Sequence, residues 1–459
     1  MKLTVLAGSP KGEKSVTMQY VRFIQKEFSQ HDFVIHQVAQ PIVKLEKDKN
    51  EFNRVIEEVR SADGVLWAFP VYYCLVCAQY KRFIELVSER RAEHAFAGKY
   101  AAALSTSIHF YDHTAHEYIR AVSEDFDMRF VDGYPAHMRE LLDTEGRERV
   151  RMFARNVFSA VEKGMEFSKL YSPLTFESFS YRPTSPNFDC LKTDKRIVIV
   201  TDSMEGNLGS MIGRFSECFE RHPELVDLSR LAIKGGCLGC LHCGPKNECV
   251  YRGKDDFVGM FSTKVRSADI LVFAGGIHDR YLSSRWKTFF DRSFFLTHQP
   301  ILQGKQIGFL IEGPLSGVPN LREILTAYGE IHGANPVGFV SDEVGDSARL
   351  GNTIDGLAER LTRCAELEYV RTPSFLGIGG MKLFRDEVWG GLRVVFRKDH
   401  KTYRKTGVYD FPQKRVLKNL LIRLAAAVTG IPFVQRKMTG RVGELMLTPY
   451  RRALGSADS

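Results

Sequence analysis

The sequence predicts an α/β protein with two tandem doubly wound domains, each a parallel sheet between helices, followed by a basic, partly helical C-terminal extension. The main observation is an internal repeat, because VRSAD at residues 59–63 recurs unchanged at residues 265–269, an offset of 206. Upstream, LTVLAGSPKG from Leu3 matches IVIVTDSMEG from Ile197 at an offset of 194. The second copy is therefore 12 residues longer between these landmarks.

Each copy alternates short apolar runs with segments in which apolar residues have helical spacing. In the first copy the predicted strands are 3–7, 33–38, 64–69 and 101–105, and the predicted helices are 18–28, 51–60 and 80–87. In the second copy the strands are 197–201, 270–273 and 307–311, and the helices are 211–219, one that ends near 265, and 285–294. This alternation is typical of a parallel sheet with helices on both faces.

The domain prediction has four parts. Residues 1–165 form the first domain, and a stretch rich in Pro, Ser and aromatic residues at 166–194 is the linker. Residues 195–375 form the second domain, and residues 376–459 form the extension. The length of 459 residues is sufficient for two or three domains with their own cores.

The net charge of +9 is concentrated in the extension. From Leu376 onward there are 17 Lys and Arg against 6 Asp and Glu. No base-reading module accompanies this charge, so we do not expect nucleic-acid binding. The chain has no apolar run of membrane-spanning length and starts directly with a strand, and its nine cysteines are an odd number. We therefore expect a cytoplasmic protein in a reducing compartment.

Four of the cysteines form a cluster, Cys237-x2-Cys240-x2-Cys243-x5-Cys249, and the longer interval of the second copy contains it. Thiolates at this spacing on a looping backbone can converge on one soft-metal centre, which suits a 4Fe–4S cluster. A tetrahedral zinc site is the main alternative, and four unrelated or paired cysteines are another. The segment is about the right size to be the insertion.

The loop after the first strand, GSPKGEKSVT, is a candidate phosphate site. Gly8 permits a tight turn, and hydroxyls and loop N–H groups lie beside a helix N-terminus, where a phosphate can bind. The candidate residues are Ser9, Lys11, Ser15 and Thr17. A simple capped turn has a similar composition and is the alternative.

The third strand ends in FPVYY, and this sheet edge is where doubly wound folds bind ligands. We expect a rigid aromatic loop there and a polar edge after the next strand, although core packing of the two tyrosines is an alternative. The candidate residues are Pro70, Val71, Tyr72, Tyr73, Ser105 and Ser107. His109, His113 and His116 could indicate a metal, but we interpret them as surface histidines.

Taken in order, GSPKGEKSVT, SADGVLWAFPVYY and YKRFIEL resemble the motifs of the NADPH-dependent FMN reductases, which are flavodoxin-like. In the second copy, the cysteine cluster followed by Asp255 and Asp256, then VRSADILVFAGG and WKTFFDR, resembles the iron–sulfur flavoproteins of that superfamily. The resemblance covers most of residues 1–165 and 195–345. It implies FMN, a 4Fe–4S cluster and electron transfer between them, with NAD(P)H as a candidate donor.

The two copies depart from the family pattern in different ways. The second copy has Gly275, Gly276, Ile277 and His278 in place of the aromatic loop, and its phosphate loop contains acids at 202 and 205. An acid near a phosphate is unfavourable. The hypothesis is that the first copy binds FMN, the second holds the cluster, and the two pack as a pseudo-dimer that places the cluster near the flavin.

We therefore predict a flavin-dependent oxidoreductase that moves electrons between NAD(P)H or a protein donor, FMN, a 4Fe–4S cluster and an unknown acceptor. The cofactors supply the chemistry, so no catalytic side chain is predicted. The expected partners are a small-molecule or protein redox partner and a second copy of the chain. Two alternatives are a zinc-stapled FMN or quinone reductase and a non-catalytic flavodoxin-like interaction protein.

The extension contains a short predicted helix, VLKNLLIRLAAAVTG, with a stripe of apolar residues. The stripe consists of Leu417, Leu420, Leu421, Leu424 and Val428, and Lys418 and Arg423 lie off it. A basic amphipathic helix can lie on an anionic membrane surface. We favour the alternative, in which the helix docks on the core of the protein itself.

Overall fold

The computed structural model describes residues 1–429 except 177 and 187, together with residues 431–439 and residue 447. The residues from Met1 to His400 form one compact unit, and the described residues from Lys401 onward form a second. Within the described residues, no helix is long and apolar enough to cross a membrane.

The first copy is a parallel sheet with helices on both faces. Its strands are β1 (Lys2–Ala7), β2 (Asp32–Gln37), β3 (Gly64–Tyr72), β4 (Leu75–Val76), β5 (Tyr100–Ser107) and β6 (Arg129–His137). Its helices are α1 (Val16–Glu27), α2 (Ile42–Lys47), α3 (Lys49–Arg60), α4 (Ala78–Glu89), α5 (Asp112–Asp125) and α6 (Thr144–Glu162). The strand order β2-β1-β3-β5-β6, with β4 as a short antiparallel addition to β3, is the flavodoxin-like order.

The second copy repeats this order as β8-β7-β9-β11-β12, with β10 paired to β9. Its strands are β7 (Ile197–Thr201), β8 (Glu224–Asp227), β9 (Ile270–Asp279), β10 (Tyr281–Leu282), β11 (Gln306–Glu312) and β12 (Asn335–Ser341). Its helices are α7 (Gly206–Glu217), α8 (Phe257–Met260), α9 (Ser284–Ser293), α10 (Pro319–Ile331) and α11 (Ser347–Glu366). The predicted fold class, two tandem flavodoxin-like domains, is confirmed.

The two copies share one hydrophobic core. Trp67 and Tyr80 of the first copy belong to the same buried cluster as Trp286 and Phe289 of the second. Apolar faces of α4 and α9 meet there, and burial of large aromatic side chains dominates the energetics of such cores. The two halves therefore share a continuous buried cluster at their junction.

The C-terminal region is helical. Its helices are α12 (Phe375–Trp389), α13 (Arg397–Lys405), α14 (Val416–Thr429) and α15 (Pro432–Thr439). Helix α12 packs on α10 of the second copy, with Phe384 and Val388 buried. Within the described residues no residue of α14 is buried, and the docking of this helix on the core stays a prediction.

Three local predictions also need correction. β3 and β9 run several residues beyond the predicted strand ends, because a two-residue hairpin extends each one. Helix α2 was absent from the prediction, since six residues are too few for a clear helical period. The helix that ends at Val265 finishes in a π-helical turn from Phe261 to Val265, a geometry that spacing rules do not anticipate.

Candidate functional site

The loop between β1 and α1 brings the candidate phosphate-binding residues together. Ser9, Ser15 and Thr17 are buried, and they line one cavity together with the exposed Lys11. Ser15 caps α1, because its hydroxyl accepts a hydrogen bond of 3.2 Å from the backbone N–H of Met18. The N-terminus of a helix favours an anion. The loop therefore has the composition and the position of a phosphate site.

Gly8 is required for a reason other than the predicted tight turn. A Cβ atom at this position would lie 2.7 Å from the ring of Tyr80, which packs directly on the backbone. The hydroxyl of Tyr80 donates a 2.8 Å hydrogen bond to the Leu6 carbonyl. Helix α4 is thereby held against the start of the phosphate loop.

The FPVYY segment is a strand with a strained turn, not the predicted loop. Pro70, Val71 and Tyr72 continue β3, and the turn to β4 is made by Tyr73 and Cys74 with φ angles of 38° and 63°. Non-glycine residues in this region are uncommon and concentrate at functional sites. Residues 70–73 all line the same cavity as the phosphate loop.

The end of β5 contributes Ser107 to the cavity but not Ser105. The hydroxyl of Ser105 is instead hydrogen-bonded to His116 Nε2 at 2.8 Å. Thr106 lines the cavity, and its hydroxyl lies 2.6 Å from that of Thr17. Ser105 is thus occupied by a contact with α5, whereas Thr106 contacts the phosphate loop.

The three histidines of the first copy do not share one environment. His109 and His113 are exposed and bind Asp112 and Glu323 respectively, each at 2.8 Å. His116 is not a surface residue, because its ring packs between β5 and β6, and burial lowers its pKa to about 4. The surface interpretation therefore holds for two of the three.

The four clustered cysteines lie around a second, smaller cavity of about 40 Å³. All nine cysteines of the chain are free thiols. Burial raises the pKa of Cys237 and of Cys243 to about 12, so both are protonated unless a positive centre compensates the thiolate charge. A bound metal supplies such a charge.

The thiol set fits a soft metal centre by its chemistry, since four sulfur donors converge on one cavity. Within the described residues, however, no group of three or more His, Cys, Asp or Glu side chains is arranged as the ligands of a single ion. The geometry thus brings the cysteines together without distinguishing a cluster from zinc.

The cysteine segment is anchored on both sides. On the side of the second copy, Arg292 forms a buried bidentate pair with Asp255 at 2.9 and 3.1 Å and donates to the Gly235 carbonyl. On the side of the first copy, the Gln79 amide donates a 3.1 Å hydrogen bond to the Cys237 carbonyl. The loop is therefore held at the junction of the two copies.

Gly239 of the cysteine segment also lies close to the first copy. It has a φ angle of 61°, and a Cβ atom there would clash with the Tyr72 hydroxyl. A glycine is thus required both for its backbone conformation and for the contact. The contact places the tip of the cysteine segment on the strand that carries the aromatic residues.

The main cavity has a volume of about 320 Å³, within the range of small-molecule sites. Its walls include the phosphate loop, residues 70–73 and Thr106 to Ile108 of the first copy, and Cys237, Gly239 and Leu241 of the cysteine segment. Asp291 lines both this cavity and the smaller cysteine cavity. The residues fit FMN, because a buried hydroxyl loop for a phosphate lies beside an aromatic wall for a planar ring.

The corresponding cavity of the second copy has a different lining. It measures about 310 Å³, and its polar wall includes Asp202, Glu312, Asp342 and Glu343. The carboxylate of Glu312 accepts a 3.0 Å hydrogen bond from the backbone N–H of Asn207, at the N-terminus of α7. A carboxylate of the protein therefore lies where a phosphate would bind, and this cavity does not fit FMN.

Two matched ion pairs join the copies beside the main cavity. Lys81 pairs with Glu85 at 2.9 Å and with Asp279 of the second copy at 2.8 Å. Lys287 pairs with Asp291 and donates a 2.7 Å hydrogen bond to the Tyr72 carbonyl of the first copy. The equivalence of the two lysines, 206 residues apart, shows that the halves pack as a pseudo-dimer.

The surroundings shift the pKa values of the two carboxylates, Asp291 and Glu85, in opposite directions. Burial raises the pKa of Asp291 to about 6, since the single ammonium of Lys287 compensates only in part. For Glu85 burial also raises the pKa, but Lys81 and hydrogen bonds from Ser284 outweigh it and lower the pKa to about 2. The carboxylate nearest to the cysteines is thus the weaker acid.

One wall of the main cavity comes from the C-terminal region, which the sequence reasoning did not include in the site. Phe384, Leu392, Val395 and Phe396 line it. The buried Asp399 holds this segment down, because its carboxylate binds His298 Nδ1 at 2.8 Å. No periodic pattern marks these residues, so only the tertiary structure reveals their role.

The fold and the site together define a flavodoxin-like protein with a phosphate-and-ring cavity and an adjoining cysteine centre. The family model of the NADPH-dependent FMN reductases matches residues 1–140 and 196–341, which is more than half of the chain. The protein therefore belongs to the NADPH-dependent FMN reductase family, with two copies of the domain. The predicted family and its duplication are confirmed.

One curated protein is similar to part of this chain. An iron–sulfur flavoprotein of Archaeoglobus fulgidus is 28% identical over 145 residues, which cover 30% of this chain and 64% of that protein. The chain thus spans less than two thirds of the relative's length.

The structure of the NAD(P)H:quinone oxidoreductase from Methanothermobacter marburgensis is 15% identical with a TM-score of 0.28, over 35% of this chain and 97% of that chain. The flavoenzyme FerB from Paracoccus denitrificans is 16% identical with a TM-score of 0.29, over the same shares. Likeness at this level carries no argument about function.

Proposed function

We propose that the protein is a flavin-dependent oxidoreductase in which the first copy binds FMN and the cysteine segment of the second copy holds a 4Fe–4S cluster. The main support for this proposal is the lining of the main cavity. The cavity that contains the phosphate loop and the aromatic strand of the first copy also contains Cys237 and Gly239 of the second. A flavin and a cysteine-bound centre would be neighbours in this arrangement.

FMN would supply the redox chemistry when bound, because it accepts two electrons as one hydride and can release them one at a time, and an iron–sulfur cluster is a one-electron relay. The protein supplies binding and orientation. Ser9, Ser15 and Thr17 with Lys11 would hold the phosphate, and residues 70–73 would form the wall against the ring. Four apolar side chains of the C-terminal region exclude water from the opposite wall.

The assignment of the cysteines to iron and sulfur rests on three supports. The four thiols surround one cavity, their spacing suits a cube of iron and sulfur, and the similar protein of Archaeoglobus fulgidus is named an iron–sulfur flavoprotein. Zinc remains the alternative, with the cysteines serving the fold. Reduced thiols throughout the chain also agree with a reducing compartment, for which we propose the cytoplasm.

The donor is proposed from the family, whose description names NADPH. A protein donor that delivers electrons to the cysteine segment is equally compatible with the site, because Cys240 is exposed. The acceptor is proposed to be a small molecule that enters the apolar cavity or a protein that docks at the cysteine segment.

The test uses anaerobically purified full-length protein and its visible spectrum before and after addition of NADPH or NADH. We expect flavin bands with a broad iron–sulfur shoulder, and bleaching of the flavin bands by a nicotinamide donor or by a protein donor. In Cys240→Ser, whose thiol is exposed, the shoulder should disappear while the flavin bands remain.

Flavin bands in a protein that contains zinc but no iron would show that the cysteines bind zinc and not a 4Fe–4S cluster. A featureless spectrum would contradict the proposed function altogether and support the non-catalytic interaction protein. Flavin that no donor reduces would contradict the oxidoreductase activity while leaving FMN binding intact.

A further inference from the structure

Helix α14 exposes an unusual number of large apolar side chains. None of its fourteen residues is buried in the described structure. Seven apolar side chains of the helix are between 53% and 73% exposed: Val416, Leu417, Leu420, Leu421, Ile422, Leu424 and Val428. A contiguous apolar surface of this kind marks a binding site for another apolar surface.

The exposed side chains lie mostly on one face. At 100° per residue, Val416, Leu417, Leu420, Leu421, Leu424 and Val428 occupy an arc of about 140°. Lys418, Asn419, Arg423 and Thr429 occupy the opposite side, with Ile422 as the only large apolar exception among them. Helix α14 is thus amphipathic, and its apolar face is exposed together with its polar face.

The sequence around this face is basic, and Asp410, just before it, pairs with Arg415. Residues 411–439 contain six basic residues and no acid: Lys414, Arg415, Lys418, Arg423, Arg436 and Lys437. A second copy of the same segment would bring twelve cations together, which is unfavourable. An anionic surface with an apolar interior complements both the charge and the apolar face.

We propose that helix α14 binds in the plane of an anionic lipid bilayer, with its leucine face in the headgroup–acyl boundary and its basic residues at the phosphates. The helix is about 21 Å long, shorter than the roughly 30 Å hydrocarbon core, so it lies on the bilayer and does not span it. Phe433, which is 75% exposed in α15, extends the apolar surface. The inference is independent of the proposed redox function.

The test is co-sedimentation of the full-length protein with vesicles of phosphatidylcholine, alone or mixed with phosphatidylglycerol at 3:1. We expect strong binding to the anionic vesicles and little to the neutral ones. Lys418→Gln with Arg423→Gln should weaken binding about 30-fold, since each basic residue near an anionic surface contributes about fivefold. Leu420→Gln with Leu424→Gln should abolish it.

The matched control is Leu142→Gln with Leu170→Gln, which replaces two leucines that are 80% and 64% exposed elsewhere in the chain. This variant should bind like the wild type. Equal binding of wild type to both vesicle types, or wild-type binding by Leu420→Gln with Leu424→Gln, would overturn the proposal. Light scattering without vesicles tests self-association, and a wild-type oligomer that the leucine variant dissolves would assign the face to a second copy instead. Unchanged thermal unfolding of each variant shows that the fold is retained.

Discussion

The two copies of the domain differ most at the helix N-terminus that follows their first strand. In the first copy, Ser9, Ser15 and Thr17 present hydroxyls to a cavity beside the N-terminus of α1. In the second copy, the Glu312 carboxylate accepts a hydrogen bond from the first turn of α7 and lies where a phosphate would bind. The second copy thus has carboxylates of the protein in the cavity where the first copy has hydroxyls.

The second copy also has a feature that the first copy lacks. The second copy carries the cysteine segment, and Gly239 of that segment contacts Tyr72 of the first. In the proposed function, the parts of one redox site are divided between the halves and lie next to each other at their interface. Each of the following changes tests one side of this division.

The largest expected effect is on the phosphate loop of the first copy. Ser15→Asp retains a good helix cap but adds a negative charge beside the proposed phosphate. Because like charges about 4 Å apart repel by several kcal/mol at a protein surface, FMN affinity should fall by about two to three orders of magnitude. Fluorescence titration of the flavin-free protein measures it, and the neutral cap Ser15→Asn is the control. An equal loss in both variants would show that the hydroxyl, and not the charge, is decisive.

The second change neutralises Glu85, the interface carboxylate with the lower pKa. The pKa of Glu85 is lowered to about 2 from its usual 4.5, so its charge stabilises the fold fully above pH 4.5 and ceases to do so as the pH falls toward 2. Glu85→Gln should therefore destabilise the protein by about 3 kcal/mol at pH 7, and by much less near pH 3. Urea unfolding at both pH values measures the difference.

The matched variant in the second copy is Asp291→Asn. The effect of this substitution on the free energy of unfolding should change with pH in the opposite direction. The pKa of Asp291 is raised to about 6, so its contribution to stability is fully present below its usual pKa of 3.8 and is lost as the pH rises through 6. The wild type should gain stability relative to Asp291→Asn between pH 7 and pH 4.5. The same slope for both variants would contradict the asymmetry of the two pairs.

A smaller effect is expected where the cysteine segment contacts the first copy. Gly239→Ala places a methyl group against the Tyr72 hydroxyl at a positive φ angle, which should cost about 2 kcal/mol and lower the iron content. Removing the hydroxyl with Tyr72→Phe in the same chain should restore part of both. Iron analysis and thermal unfolding of the single and double variants check this, and the absence of any rescue would argue against the contact.

The smallest effect is expected in the second copy. Burial raises the pKa of Glu312 and offsets the favourable interaction of its charge with the N-terminus of α7, so Glu312→Gln should change the free energy of unfolding by less than about 1 kcal/mol. Asp202, Asp342 and Glu343 remain in the same cavity, so the FMN content per chain should not change. A second bound FMN in this variant would show that Glu312 alone closes the site.

The fold class and its duplication could be predicted from the sequence, because an exact five-residue repeat and apolar strands at matching positions leave few alternatives. The last strand of each sheet and the helices around it, as well as β8, were not predicted. Most candidate site residues also converge, since the carboxyl ends of parallel strands lie at one edge of the sheet. Ser105 does not line the cavity, because its hydroxyl is hydrogen-bonded to His116, and the sequence pattern does not reveal that contact.

The remaining site residues could not be predicted. Phe384 and Phe396 reach the cavity from a segment more than 200 residues beyond the phosphate loop, and no local pattern encodes such a contact. The leucine stripe of α14 was recognised, but its solvent exposure was not, because amphipathicity is equally typical of a docked helix and of a surface-binding one.

The division of labour between the copies is tested most directly by the FMN and iron contents of the wild type and of Ser15→Asp, purified anaerobically. We predict about one FMN and about four iron atoms per wild-type chain. In the variant we predict the same iron content per chain and almost no FMN. Two FMN molecules per wild-type chain, or iron that disappears together with FMN in Ser15→Asp, would contradict it.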